Sequence, residues 1–452
     1  HGKVLKERLK RRQPKEDVSV FSTELPNKLG THATLAFIDD TISTFERLAL
    51  AKKLVTPALA LNPKSITVHF ADISETLLNL WVDALIAAIT ACTYQLPSYK
   101  KETPKAAPLK SIAIYGLTSK VNIKRTLAQA EGNNLARRLT SLPPNFLTPG
   151  LYKKEVSSLA KQYGWKMQFL DIKQLKQKKA GAFLAVAQGS PHQDAGILHL
   201  RYEPATRSKK NKSLALVGKG ICFDTGGTNL KPAKFMHGMH EDMGGSAVAL
   251  GTLLALSQLK VNFAIDCWLA LAENHIGPNA YKQNDIVTAS NGTSIEVMHT
   301  DAEGRMVLAD TLALASKKKP GLIIDYATLT GACVYSLSSR YSGAFTNKEE
   351  YIPDIIAAGK NSGERVWPFP MDDDFDKELE SKVADIKQCS LGEEADHILA
   401  SRFLSRFVDN TPWLHIDLSA SNNKGGLAHI PTDTTGFGIR FTLEFILNNN
   451  KL

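Results

Sequence analysis

The chain has few cysteines, no Cys-x-x-Cys pair and no long uninterrupted apolar run, and each shortage removes a class of protein. The longest apolar stretches, 78–92 and 247–259, are broken by polar residues and fall short of the ~20 residues that a bilayer-spanning helix needs. No charged-then-apolar leader opens the sequence, so the expectation is a soluble, unexported, cytoplasmic protein with no membrane partner. The five cysteines, Cys92, Cys222, Cys267, Cys333 and Cys389, are an odd and scattered set. They suit a reducing compartment and argue against disulfides and thiolate metal sites. No internal repeat or low-complexity tract is present, and Gly218-Lys219-Gly220 lacks the spacing of a dinucleotide fingerprint or a P-loop.

Charge of one sign is not scarce. Lys and Arg number 55 against 45 Asp and Glu, a formal net charge of +10. Such a balance permits contact with DNA or an anionic surface. Much of the excess sits in two runs, residues 3–15 and 208–212, with no recognition motif and no aromatic interleaving. They read as a solvated tail and a basic loop, leaving DNA binding permitted by charge and supported by no motif.

With 452 residues, 43% of them apolar, the chain can build more than one core, and two domains are expected. Residues 1–121 read as a smaller α/β domain: strands at 33–38, 65–70 and 111–115, helices at 41–53 and 74–92, and a Lys- and Pro-rich connector at 98–110. A connecting helix follows at 122–141, ended by Leu142-Pro143-Pro144. In residues 142–452, strand-like runs at 182–186, 196–202, 214–217, 265–271, 322–326 and 414–418 are interspersed with helical patterns at 244–259, 305–316 and 395–408. That alternation predicts a larger domain with a mostly parallel sheet flanked by helices on both faces, ligands sitting at the carboxyl ends of strands.

Three loops expected at such ends combine charge with glycine. The first, 217–231, is expected to place Lys219, Asp224 and Lys231 in a glycine-rich turn. The second, 239–245, puts Asp242 just before a helix. In the third, 299–305, Asp301 and Glu303 are two apart, so an extended segment would turn both carboxylates to one side, with Arg305 opening the next helix. Taken singly, an Asp beside a Gly is ordinarily a turn former or a helix cap. Four carboxylates converging at strand ends would repel one another unless cations held them. Divalent ions such as Zn²⁺, Mn²⁺ or Mg²⁺ suit such oxygens, and two ions ~3.5–4 Å apart can share a carboxylate and a water.

These segments resemble the leucine aminopeptidases of the cytosolic two-metal type. The block Asn-Thr-Asp-Ala-Glu-Gly-Arg of that family is similar to His299-Thr300-Asp301-Ala302-Glu303-Gly304-Arg305, and 217–231 and 239–245 match two further site segments at the same intervals. Looser similarity runs from about Ala128 to Arg440. The resemblance implies peptides with a free N-terminus as substrates, two divalent ions per subunit (Zn²⁺ or Mn²⁺), and a homohexamer. It implies that Lys219, Asp224, Asp242 and Glu303 hold one ion, while Asp224, Asp301 and Glu303 hold the other. Lys231 would stabilise the oxyanion, Arg305 would hold a bicarbonate that relays a proton, and Met239, Thr328 and Gly331 would lie beside the substrate.

Departures from the family pattern include His299 for Asn, Met306 for Leu, Cys222 for Thr and Gln283-Asn284 for Pro-Gly, none of which removes an implied ligand. His299, His237 and His240 read as neighbours or surface groups, and Cys222 as a small buried residue. Glu393, Glu394, Asp396 and His397 stand where the family carries small residues, and a polar or basic first substrate residue is expected if they approach the pocket. The rival readings are another two-metal hydrolase, such as a phosphatase, and a DNA-binding accessory protein of the same fold.

Overall fold

The computed structural model describes all residues except 1, 12–19, 29, 40, 72, 103–107, 118–119, 207–211, 393 and 450–452. Arg12, Lys15, the basic stretch 208–211 and Glu393 therefore lie outside the described residues. The chain divides into two compact units: His1–Ala130 with Lys424–Asp433, and Glu131–Asn423 with Thr434–Leu452.

The first unit contains α1 (Gly2–Arg11), the antiparallel pair β1 (Phe21–Glu24) and β2 (His32–Leu35), α2 (Thr44–Leu59), β3 (Ser65–His69), α3 (Glu75–Thr93) and β4 (Ser111–Tyr115). Ser43 starts α2 with a reciprocal capping box to Glu46, which satisfies two backbone donors at once. β3 and β4 pair in parallel, and Ile112 and Ile114 of β4 pack against Leu78, Val82 and Ile86 of α3. By length and composition α3 is apolar enough to cross a membrane, contrary to the expectation from the sequence; 56% of that stretch is buried inside the chain. Its apolar character follows from that burial.

Helix α4 (Lys124–Thr140) is followed by α5 (Pro149–Tyr163), β5 (Lys166–Asp171), α6 (Ile172–Gln177), α7 (Gly181–Ala187), β6 (Gly196–Tyr202), β7 (Leu214–Asp224), α8 (Ala233–Met236), α9 (Gly244–Gln258) and β8 (Ile265–Asn274). Then come β9 (Ile286–Thr288), β10 (Ser294–Glu296), α10 (Glu303–Ser316), β11 (Leu322–Ala327), α11 (Gly331–Leu337), β12 (Ser342–Thr346) and α12 (Ile352–Ser362). The order closes with β13 (Val366–Pro368), β14 (Ile386–Lys387), α13 (Asp396–Ser405), β15 (Trp413–Asp417) and α14 (Ile439–Asn448).

Eight strands form one sheet in the order β13-β12-β15-β11-β7-β8-β6-β5. The central run β15-β11-β7-β8 is parallel, as is β12 with β13, while the other three pairings are antiparallel. Every residue of β8 is buried, as expected for a strand covered on both faces. The two-residue period of β7 shows which helix covers which face. A Cβ on Gly218 would lie 2.4 Å from Ser246 Cα of α9, whereas the neighbouring Lys219 reaches Gly304 of α10. Helices α9 and α10 thus cover opposite faces, and Val217 and Ile221 join the core on the α10 side with Met306, Leu308 and Leu312.

The run 182–186, expected as a strand, is instead helix α7. Periodicity cannot separate a short, wholly apolar strand from a buried helix. Here Ala182, Phe183, Ala185 and Val186 pack in the core with α10, and Asp310 of α10 accepts the Phe183 amide at 2.8 Å. All five cysteines are free, and all but Cys92 are buried.

Candidate metal centre

Strand β7 runs seven residues past the predicted end at Val217, so Lys219 and Asp224 sit on the strand itself and not in the turn. A register irregularity against β8 between Ile221 and Asp224 turns the last carboxylate toward the strand's end. The turn proper comes after it. Gly226 and Gly227 take left-handed backbone, φ 87 and 65, and a Cβ on Gly226 would lie 2.5 Å from Asn229 O. Lys231 N then donates to Thr225 O at 2.9 Å, which folds the Lys231 side chain back over Asp224.

Asp242 lies in a 3-10 turn, Met239–Met243, immediately before α9. The segment carrying Asp301 and Glu303 is not extended: Asp301 occupies a turn and Glu303 is the first residue of α10. Both still line one pocket of about 380 Å³ together with Lys219, Asp224, Lys231 and Asp242. Met239, Thr328 and Gly331 line it too, with Thr328 in the loop after β11 and Gly331 opening α11. Arg305, the third residue of α10 and 2% exposed, is not among the lining residues.

The opposite charges are closely paired. Lys219 Nζ lies 2.8 Å from Asp242 Oδ1 and 2.8 Å from Glu303 Oε1, and donates to Thr328 O at 3.0 Å. Lys231 Nζ lies 3.0 Å from Asp224 Oδ2 and also pairs with Asp301 Oδ1. Burial works against both ammonium charges, yet the surrounding carboxylates outweigh it and hold both lysines above their ordinary range. Burial raises Asp242 and Glu303 despite Lys219. Asp301 is pushed up to about 7, by burial and by the charges of Asp224 and Glu303, against the pull of Lys231.

Two lysines are too few for this cluster. Oxygens of Asp224, Asp242 and Glu303 lie within 4.8 Å of one another, and Asp242 Oδ2 and Glu303 Oε2 have no hydrogen-bond donor among the described residues. Buried carboxylate oxygens left without donors are costly and fit a divalent cation, which takes hard oxygen ligands.

Several supporting residues were not singled out by the sequence. Asn274, at the end of β8, donates from Nδ2 to Asp224 Oδ1 at 2.8 Å and to Thr300 O at 3.0 Å. Thr300 Oγ1 donates to Gly226 O at 2.6 Å and accepts from Asn229 N at 2.8 Å, tying the first and third loops together. Asp417, ending β15, accepts Leu329 N at 3.1 Å and Thr330 Oγ1 at 2.7 Å, which fixes the loop carrying Thr328. Strand pairing holds the only signal for the first and last, since both end strands beside a site strand.

His299 takes the role of a hydrogen-bonding neighbour: its Nδ1 accepts the Asp301 amide at 3.2 Å. Cys222 is buried, His237 exposed and His240 half-buried. Glu394 is exposed, and His397 is buried edge-on to Phe369 with ring centroids 4.4 Å apart; neither lines the pocket. The polar wall is formed elsewhere, by half-buried Glu241, which accepts Asn422 Nδ2 at 2.7 Å.

The pattern described as "Cytosol aminopeptidase family, catalytic domain" matches residues 134–443. A probable cytosol aminopeptidase of Stutzerimonas stutzeri is 41% identical over 327 residues, 71% of this chain and 65% of that protein. One of Gloeobacter violaceus is 39% identical over 334 residues, 72% of this chain and 64% of that protein. The chain thus spans just under two thirds of those two relatives. A third, of Burkholderia cenocepacia, is 34% identical over 417 residues, 91% of this chain and 80% of that protein. With the pattern covering more than half of its length, the chain belongs to the cytosol aminopeptidase family.

Proposed function

We propose that the chain is a two-metal aminopeptidase of the leucyl type that removes the N-terminal residue from peptides with a free α-amine. The observation that carries the reading is the buried cluster of Asp224, Asp242 and Glu303, with donor-less oxygens on the floor of an open pocket. Two Zn²⁺ or Mn²⁺ ions bound there would supply a Lewis acid for the peptide carbonyl and a water acidic enough to attack it at neutral pH. Lys219, as the neutral amine that a bound cation would favour, would hold one ion with Asp224, Asp242 and Glu303, and Asp224, Asp301 and Glu303 would hold the other. Asp224 and Glu303 would be the ligands common to both, which suits carboxylates that pair with Lys231 and Lys219 respectively. Asn274 and the Gly226 amide fix Asp224 Oδ1, so Oδ2, which Lys231 Nζ approaches at 3.0 Å, is the oxygen that would face a cation.

Lys231 is the cation nearest the open side, and its role is to stabilise negative charge on the carbonyl oxygen as the tetrahedral centre forms. Met239, Thr328 and Gly331 shape the space for the first side chain, and capture of the free amine fixes the register so that only a terminal residue leaves. Bicarbonate does not fit beside Arg305 without displacing a carboxylate, because Asp396 Oδ1 already lies 2.8 Å from Arg305 Nη2 and Gln388 O takes Nη1 at 3.3 Å. No step is assigned to it. Assembly as a homohexamer and a cytoplasmic location accompany the proposal.

The test is release of free amino acid from Leu-, Met-, Arg- and Cys-initiated dipeptides, before and after chelation, with Mn²⁺ or Zn²⁺ added back. Activity lost on chelation and regained with metal is the expected result. No release from any of the four under metallated conditions, or release of phosphate from phosphoesters instead, would overturn the reading.

A further inference from the structure

Arg305 is a buried cation with a partner the catalytic scheme does not use. Its guanidinium is 2% exposed, its Nε has no partner among the described residues, and it sits two residues beyond the Glu303 carboxylate. Asp396 approaches it from a different element, and its side chain is 30% exposed, so the carboxylate bridges from solvent to the buried fork. The backbone there is bent to this purpose. Ala395, which precedes α13, takes φ 54 and ψ 25, a left-handed conformation that costs a non-glycine residue of order 1 kcal/mol. Asp396 follows as the first residue of α13, where the helix end also favours a negative charge. From the metal-binding loop His299 is the ring that the charges of Lys231, Asp396 and Arg305 reach, and its Nδ1 accepts the Asp301 amide at 3.2 Å.

The geometry points to Asp396 as a resident carboxylate that fills the anion seat of Arg305 from within the chain, making an anion from solution unnecessary. It is a positioning residue: by holding Nη2 it fixes the guanidinium behind Glu303 and sets the local charge beside His299. This inference rests on the aminopeptidase reading for its kinetic consequence but not for its binding consequence.

The first arm uses metal-free protein and follows melting temperature during titration with bicarbonate or formate, with chloride at matched ionic strength as control. Wild type should show no anion-specific rise, whereas Asp396→Ala should show a saturable rise as the small anion enters the vacated seat. Asp396→Asn, which keeps the size and loses the charge, guards against a folding defect in the Ala variant and should respond in the same direction. The second arm uses metallated enzyme in carbonate-free buffer. Wild-type turnover should be indifferent to added bicarbonate, while Asp396→Ala should lose about tenfold to a hundredfold in kcat and recover part of it with bicarbonate or formate. A saturable bicarbonate requirement in wild type, or variants with neither anion response nor kinetic loss, would overturn the inference. If wild type cleaves no peptide at all, the aminopeptidase reading fails while the melting experiment still decides the occupancy of the seat.

Discussion

Gly304 is the place where a single methyl group should separate folding from function. It is the second residue of α10, between Glu303 and Arg305, and a Cβ there would lie 2.7 Å from both Cε and Nζ of Lys219. Ordinary contact begins near 3.4 Å, so Gly304→Ala demands a displacement of roughly 0.7 Å. Lys219 is flexible in principle but pinned in fact, by Asp242, Glu303 and the Thr328 carbonyl, with 3% exposure. A retreat of that size stretches each 2.8 Å ion pair to about 3.5 Å. At an effective dielectric of 20 that costs about 1 kcal/mol per pair. Alanine in place of glycine returns at most about 1 kcal/mol of helix propensity. The net expectation is a modest stability loss of about 1–2 kcal/mol, with a much larger functional loss of about tenfold to a hundredfold in turnover, because a group proposed as a ligand has moved. Thermal melting, metal content per chain and dipeptide hydrolysis measure the three quantities separately. Gly304→Ser should follow the same direction more steeply. Wild-type turnover and metal affinity in Gly304→Ala would refute the placement of Lys219 against α10.

Three further outcomes can be checked independently. Lys231→Ala should lower kcat by about a hundredfold or more while leaving metal content near wild type, read by elemental analysis beside kinetics; unchanged turnover would remove its assigned role. Glu364, buried with Oε2 accepting Gly438 N at 2.8 Å and Phe441 N at 2.9 Å, is pushed by burial from 4.5 up to about 7. The folded chain therefore holds a proton that the unfolded chain releases between pH 4.5 and about 7, so stability falls as pH rises through that window. Glu364→Gln, an analogue of the protonated form, should flatten this slope and stabilise the protein above pH 7 by up to about 3 kcal/mol in denaturant melts; an unchanged slope would refute the assignment. Gly245→Ala should lower the melting temperature clearly, since its Cβ would lie 2.2 Å from the Tyr326 carbonyl oxygen of β11, and both partners are backbone.

What the sequence made legible follows from what each signal encodes. The strands 196–202, 265–271 and 322–326 and the helices 244–259 and 305–316 were readable because long buried elements carry mostly apolar runs of the right length. The run 182–186 failed that test because five apolar residues fit either period, and only the packing of α7 on α10 decides. The charged residues were legible as a set because carboxylates, lysines and glycines recur at strand ends, but their local geometry was not. Lys219 and Asp224 extend a strand whose buried, glycine-bearing end looks like a turn in one dimension, and Glu303 faces the pocket as a helix residue rather than through a two-residue period. Asn274 and Asp417 were invisible because their meaning lies in the strand order, with β8 and β15 flanking β7 and β11. Asp396 shows the same limit from the other side. Its carboxylate, ninety-one residues from Arg305 along the chain, stood out only as a departure from small residues. A departure in sequence does not say which way a side chain points. The structure turns it away from the pocket lining and onto the buried guanidinium, so the polar substitution bears on the charge behind the proposed metal ligands before it bears on the choice of substrate.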